Sequence, residues 1–302
     1  MVTSQCLKHA GLLLALTMVL LVGCVPAPTP EPTPVPELYL GGRELHFPVI
    51  MSAPYRWQRA GYGRPLQSIG KDPELHRKGM WAYSWGLGAC LYDVPMVFSD
   101  RQMPTLDQLA KCNATSEVLL AFNEPEWASQ ANMSPEIAAK TLRHLEQHWA
   151  GEIWCCGNLV GSSGWLDRMM TAYKAEYGEL PRLAGVHLHI YLANGQTDVP
   201  DPTNPMWLER NRNSLAAYLA VMRKWGIPPR VVVSECCLLG GYTEAEYLLV
   251  QDTYMTWLRG VPEIESVAWF SARYAGFPDA NLLRASGRLT AVGQNWLDWR
   301  WK

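Results

Sequence analysis

Glu124 and Glu235 are the residues of this chain best suited to do chemistry, because each ends a short apolar run. Glu124 closes Val118-Leu119-Leu120-Ala121-Phe122-Asn123-Glu124-Pro125, and Glu235 closes Val231-Val232-Val233-Ser234-Glu235. A carboxylate at the tip of a buried strand is costly to desolvate unless it is paired, hydrogen-bonded or faces a wet cleft. Two of them on separate strands of one barrel are what acid-assisted cleavage of a glycosidic bond requires. One ionised group attacks the anomeric carbon while a protonated one assists the leaving oxygen. The retaining form of that chemistry sets the two carboxyl groups about 5–5.5 Å apart. Environment must also push their pKa values apart, raising that of Glu124 by burial or by its ionised partner. This chemistry needs no metal and no organic cofactor.

The elements that would position this pair alternate between short apolar runs and helix-period segments from about residue 76. The strand candidates are Met80–Trp85, Cys90–Phe98, Val118–Asn123, Ile153–Leu159, Gly185–Tyr191, Arg230–Glu235 and Ser266–Ser271. Ser134-Pro135-Glu136 reads as an N-cap with proline at the first helical position, and Ile137, Leu142, Leu145 and Trp149 then line one face. Thr243-Glu244-Ala245-Glu246 fits a capping box, and Trp225-Gly226-Ile227-Pro228-Pro229 a glycine C-cap with a proline stop. Such alternation predicts parallel strands joined by crossover helices, an α/β (β/α)8 TIM barrel in a single domain. Seven strands are one short of closure: either the eighth falls in Leu45–Met51 or the barrel is imperfect. A doubly wound open sheet is the alternative, weakened by the lack of a glycine-rich phosphate loop.

In a parallel barrel the reactive groups gather where strands end. Those ends carry Trp81, Tyr83, Trp85, Asn123, Glu124, Glu126, His187, His189, Tyr191, Glu235, Trp269 and Phe270. The set is acids and aromatics with an amide and two imidazoles. The sequence has no Gly-x-Ser-x-Gly elbow, no His-Glu-x-x-His and no P-loop, which argues against serine hydrolases, zinc proteases and nucleotide hydrolases.

The whole chain, 302 residues, is 48% hydrophobic and 18% charged with a net charge of −2. Its basic residues are scattered, so nucleic acid is not an expected partner. The 14 Trp suit both a large core and stacking on sugar rings. At the N-terminus, Lys8 and His9 precede an apolar run from Gly11 to Val22, and Leu21-Val22-Gly23-Cys24 resembles a bacterial lipoprotein box. Residues 1–23 then read as a signal peptide and Cys24 as the lipid-modified first residue of an exported, membrane-anchored protein. Residues 24–44 form a proline-rich linker whose alternating prolines hold the following domain, residues 45–302, roughly 35 Å from its anchor. Six cysteines follow: Cys90, Cys112, Cys155, Cys156, Cys236 and Cys237. Six thiols allow fifteen pairings, and sequence alone does not choose among them. Neighbouring strand residues point to opposite faces, so each Cys-Cys doublet is expected to send one thiol inward and one outward. No Cys-x-x-Cys spacing signals zinc.

Seven ordered segments together resemble glycoside hydrolase family 128. They are Met80-Trp81-Ala82-Tyr83-Ser84-Trp85-Gly86, Val94-Pro95-Met96, Ala121-Phe122-Asn123-Glu124-Pro125-Glu126, Gln130-Ala131-Asn132-Met133-Ser134-Pro135-Glu136, His189-Ile190-Tyr191, Ser234-Glu235 and Ala268-Trp269-Phe270. The resemblance runs from about Met80 to Asn295. It implies a retaining glycosidase on a barrel fold, with Glu124 as general acid/base and Glu235 as nucleophile. It also implies that Asn123 binds the sugar 2-hydroxyl, that His189 and Tyr191 line the site, and that Trp81, Tyr83, Trp85 and Trp269 form stacking platforms. The implied substrate is a β-1,3-glucan. The family pattern has Asp after Asn-Glu-Pro, Thr before the nucleophile and an aromatic after it; here stand Glu126, Ser234 and Cys236, and Glu126 reads as an ordinary loop acid. A glycan-binding surface lipoprotein without turnover is the competing reading, and a ligand-free envelope lipoprotein a third.

Overall fold

A computed structural model describes residues 60–64, 75, 80–87, 90, 94–192 and 201–299. Its strands are β1 (Ala60–Arg64), β2 (Trp81–Ser84), β3 (Met96–Val97), β4 (Val118–Ala121), β5 (Glu152–Leu159), β6 (Gly185–Tyr191), β7 (Val231–Cys237) and β8 (Ile264–Trp269). They form one sheet in the order β2-β1-β8-β7-β6-β5-β4-β3, and every paired neighbour is parallel. A parallel bridge between Tyr83 and Val94, with the Val94 N–H donating to the Ala82 carbonyl at 2.8 Å, joins the two ends. The result is the closed (β/α)8 TIM barrel that the alternation predicts.

The strands and cysteines differ from expectation in three places. The eighth strand is Ala60–Arg64, which pairs with both β2 and β8; the earlier candidate Leu45–Met51 lies outside the described residues, as do the signal and linker segments. The long candidate Cys90–Phe98 contributes only two strand residues beyond the bridge at Val94. The doublets are not split between faces: Cys155–Cys156 and Cys236–Cys237 are disulfides across cis peptide bonds, and a third disulfide joins Cys90 to Cys112.

The helices are α1 (Leu106–Asn113), α2 (Pro135–His148), α3 (Ser163–Tyr177), α4 (Pro205–Trp225), α5 (Glu244–Arg259) and α6 (Ala291–Asp298). Their ends follow local chemistry. The Ser134 hydroxyl accepts from Ile137 N–H ahead of α2, and Thr243 and Glu246 form the capping box of α5. Gly226 takes the left-handed conformation that ends α4. Ile137, expected on the inner face of α2, is exposed, whereas Leu142, Leu145 and Trp149 are buried.

Two apolar layers follow from the alternation of side chains along each strand. Trp81, Tyr83, Val94, Met96, Val118, Leu120, Trp154, Val232 and Ala268 fill the barrel interior. Leu119, Ala121, Ile153, Val186, Leu188, Val231 and Val233 face the helical ring with Leu142, Leu166, Met169 and Tyr218. Each large side chain so buried contributes about 1.5–3 kcal/mol. At the end where the strands begin, Arg230 reaches Glu152 at 2.9 Å and Glu265 at 2.5 Å and lies over the Trp154 ring. This charged cluster belongs to the face that supports stability in such barrels, leaving the opposite face for chemistry.

Candidate active site

Glu124 sits just past β4, where the backbone leaves the sheet abruptly. Phe122 and Glu124 take positive φ angles of 74° and 43°. Residues with a Cβ reach this region only when the surroundings hold them there. Here they are held on every side. The N–H groups of Phe122, Asn123 and Glu124 donate to the carbonyls of Val97, Phe98 and Gly157 at 2.7, 3.1 and 2.9 Å. Ala131 and Met133 donate back to the carbonyls of Asn123 and Pro125. Gly157 is itself left-handed, and a Cβ there would stand 2.7 Å from both the Phe122 carbonyl oxygen and the His187 ring. Glycine is required at that close approach.

Two register shifts point side chains of adjacent strands toward Glu124. Between β5 and β6 the pairing passes from Cys156–His187 to Asn158–Leu188, leaving Gly157 over, and between β6 and β7 Ser234 is left over. Bulges of this kind re-aim the residues beside them. His189 and Glu235 thereby become partners on neighbouring strands.

The outcome is a buried cluster. One carboxylate oxygen of Glu124, one of Glu235 and a ring nitrogen of His189 all lie within 4.8 Å of one another. Glu124 and Glu235 are 8% and 4% exposed. Tyr83 and Trp85 donate to Oε1 of Glu235 at 3.0 and 2.8 Å, and Tyr191 donates to Oε2 at 2.7 Å. His189 Nδ1 is 3.3 Å from that same Oε2 and 2.9 Å from Glu124 Oε1. Three oxygen and nitrogen donors of this kind could in principle grip a cation, but both oxygens of Glu235 already face protons. The donor set fits a carboxylate held for attack better than a metal ligand.

Electrostatics follow from burial and proximity. Burial raises the pKa of Glu235 above the usual carboxylate value and the Glu124 charge adds to this, while His189 and the hydrogen bonds from Tyr191 and Trp85 pull the other way. Burial works to depress His189, but the charges of Glu235 and Glu124 outweigh it and hold its pKa above the ordinary imidazole value. Burial and the neighbouring Glu235 push Tyr83 and Tyr191 well up, so both stay phenols that donate. His187 is different. Burial drives it down to about 3, and it bridges the Ala121 carbonyl and the Ser234 hydroxyl at 2.9 Å each. His187 is a neutral strut in the barrel wall.

The structure brings Glu124, Glu235, Tyr83, Trp85, His189 and Tyr191 together. Asn123 is adjacent and buried; its Nδ2 reaches Gln130 at 3.4 Å and its Oδ1 has no partner within the protein. Two expected stacking platforms are elsewhere. Trp81 is buried inside the barrel, where its indole N–H donates to Ser266 at 2.6 Å. Trp269 is buried on the helix side against Tyr247 and Trp296, donating to the Ala280 carbonyl. Neither offers a face to a ligand. The neighbour of Trp269, Phe270, packs instead against Trp85 and Tyr191, and exposed Tyr274 stacks beyond it. Tyr274 was not legible, because it lies in a loop with no periodic signal. Glu126 also departs from expectation, since its carboxylate is tied to the end of β5.

A family model described as "Glycosyl hydrolase catalytic core" matches residues 70–296. Among solved structures, the chain is similar to a GH128 (subgroup I) endo-β-1,3-glucanase from Amycolatopsis mediterranei in complex with laminaritriose. The identity is 26%, the TM-score 0.61, and the match covers 80% of this chain and 99% of that one. A GH128 (subgroup II) endo-β-1,3-glucanase from Pseudomonas viridiflava matches at 23% identity and a TM-score of 0.57, covering 79% and 96%. A GH128 (subgroup III) curdlan-specific exo-β-1,3-glucanase from Blastomyces gilchristii, in complex with glucose, matches at 21% and 0.57, covering 80% and 98%. These last two bear on the fold alone. No protein with a curated description matches the chain.

Proposed function

The chain belongs to the glycosyl hydrolase catalytic core family, and on that footing we propose that it is a retaining endo-β-1,3-glucanase working by double displacement. The observation that carries this reading is the carboxylate pair, with oxygens within 4.8 Å and the hydrogen-bond donors concentrated on one member. Retaining enzymes keep their carboxyl groups about 5–5.5 Å apart, whereas inverting enzymes leave about 6.5–9.5 Å for a water.

The roles follow. Glu235, oriented by Tyr83, Trp85 and Tyr191, attacks the anomeric carbon as an ionised nucleophile. Glu124 gives its proton to the departing glycosidic oxygen, forming a glycosyl-enzyme bonded through Glu235. Glu124, now a carboxylate, then takes a proton from water, which attacks the anomeric carbon and frees Glu235. His189 spans both acids and stabilises whichever is charged at each stage. The unpartnered Oδ1 of Asn123 is an acceptor for a sugar hydroxyl, and the partly exposed Trp85 and Phe270 rings offer stacking faces. The laminaritriose held by the Amycolatopsis relative supports a β-1,3-glucan as substrate.

Reducing-sugar release is the direct test, using β-1,3-glucan, β-1,4-glucan, mannan and galactan, with Glu124→Gln and Glu235→Gln as controls. Preferred release from β-1,3-glucan that both substitutions abolish is expected. Binding without release would support the glycan-binding reading instead. NMR of the first product should show the substrate's anomeric configuration. We also propose, from the segment ending at Cys24, that the protein is exported and lipid-anchored; Cys24→Ala should then move it from the membrane fraction to the soluble one.

A further inference from the structure

We propose that Glu126 is the positioning residue for Glu124, fixing the loop after β4 to the top of β5 and so setting where the acid/base proton is delivered. The inference rests on the catalytic roles given above. Glu126 lies two residues past Glu124 and reaches across to the adjacent strand with both carboxylate oxygens. Oε2 accepts from Asn158 Nδ2 and Oε1 from the Leu159 N–H, each at 2.7 Å. Such charge-assisted bonds are short and strong compared with neutral ones. Asn158 is fully buried, and its own Oδ1 accepts from Tyr218 on α4 at 2.7 Å, so the anchor is itself anchored.

The backbone gives this clamp its purpose. Glu124 has a left-handed φ, a conformation that a glutamate leaves unless it is restrained. Its N–H is tied to Gly157, the residue just before Asn158, so one short stretch of β5 receives both the Glu124 backbone and the Glu126 carboxylate. Burial raises the pKa of Glu126, and the bonds from Asn158 and Leu159 recover part of that cost. A solvated loop acid would not be drawn inward in this way.

Displacement of a catalytic group by 1 Å can cost on the order of a hundredfold in rate. The loss from a misplaced general acid falls on substrates whose leaving group needs protonation. A 2,4-dinitrophenyl laminaribioside needs little such help, while a laminari-oligosaccharide needs it fully. Glu126→Ala should therefore lower kcat/KM for the oligosaccharide by about 10- to 100-fold and leave that for the dinitrophenyl glycoside within about threefold, in the pattern of Glu124→Ala. Glu126→Gln keeps the shape and an acceptor for Leu159, and should show the same pattern with a smaller loss; it carries the test if the alanine variant does not fold. Equal losses on both substrates, or none on either, would overturn the proposal. A Glu124→Ala variant still fully active on the oligosaccharide would sink the catalytic assignment first, and this inference with it.

Discussion

Tyr191 donates its phenolic proton to Oε2 of Glu235 at 2.7 Å, across adjacent strands and between two buried side chains. With Tyr83 and Trp85 on the other oxygen, the Glu235 carboxylate is fixed in orientation and met by three neutral donors.

Removing that donor with Tyr191→Phe deletes a hydrogen bond to a charged group, worth about 1.5–3 kcal/mol. kcat/KM on a laminari-oligosaccharide should fall about 10- to 100-fold. The hydrogen bond from Tyr191 lowers the pKa of Glu235, so its loss should move the acid limb of the pH profile to higher pH. An unmoved limb would mean that the bond does not act on the ionised form.

His187 should make the fold sensitive to acid. It is neutral when folded, with a pKa near 3, against 6.5 for a free imidazole. Below pH 6.5 the unfolded chain takes up a proton that the folded chain refuses, so stability is lost as pH falls from 6.5 toward 3. The full loss is about 5 kcal/mol for this group. Denaturant melts between pH 7 and 4 should show it, and His187→Gln, whose amide can still donate to Ala121, should flatten the slope.

Gly157→Ala should be harmful twice over. The left-handed backbone alone costs an alanine about 1–2 kcal/mol, and the added methyl would meet the Phe122 carbonyl at 2.7 Å. Because the Gly157 carbonyl receives Glu124, activity should fall further than the fraction of folded protein does. Activity and melting temperature measured together would separate the two effects.

The three disulfides should differ in their effect on stability. Cys90–Cys112 spans 22 residues, and closing a loop of that length stabilises by about 3 kcal/mol in the chain-entropy account. The pairs at 155–156 and 236–237 join sequence neighbours and restrain almost no unfolded chain. A Cys90→Ala/Cys112→Ala double variant should therefore lower the denaturation midpoint much more than either adjacent pair replaced by serines.

The acid pair was legible because a glutamate ending a run of valines has few bland explanations. The barrel was legible because its crossover helices carry clear caps. β1 was not, because Ala-Gly-Tyr-Gly-Arg holds two glycines and one strand-favouring residue. The expected roles of Trp81 and Trp269 failed for a geometric reason. Strands covered on both faces are apolar throughout, so the sequence does not say which face a residue takes or how deep it lies. Trp81 shares a face with Tyr83 but sits two residues, roughly 6.6 Å, further from the mouth. Trp269 lies on the opposite face from Ala268, which lines the interior. Glu126 was misread because its partners, Asn158 and Leu159, are more than thirty positions away.

Trp154, with Arg230 beneath it, stoppers the ring from below, and the described side chains above it fill the middle. With the axis filled in this way, a glucan cut as proposed above would reach Glu124 and Glu235 from the side on which the strands end, and its fragments would depart on that side.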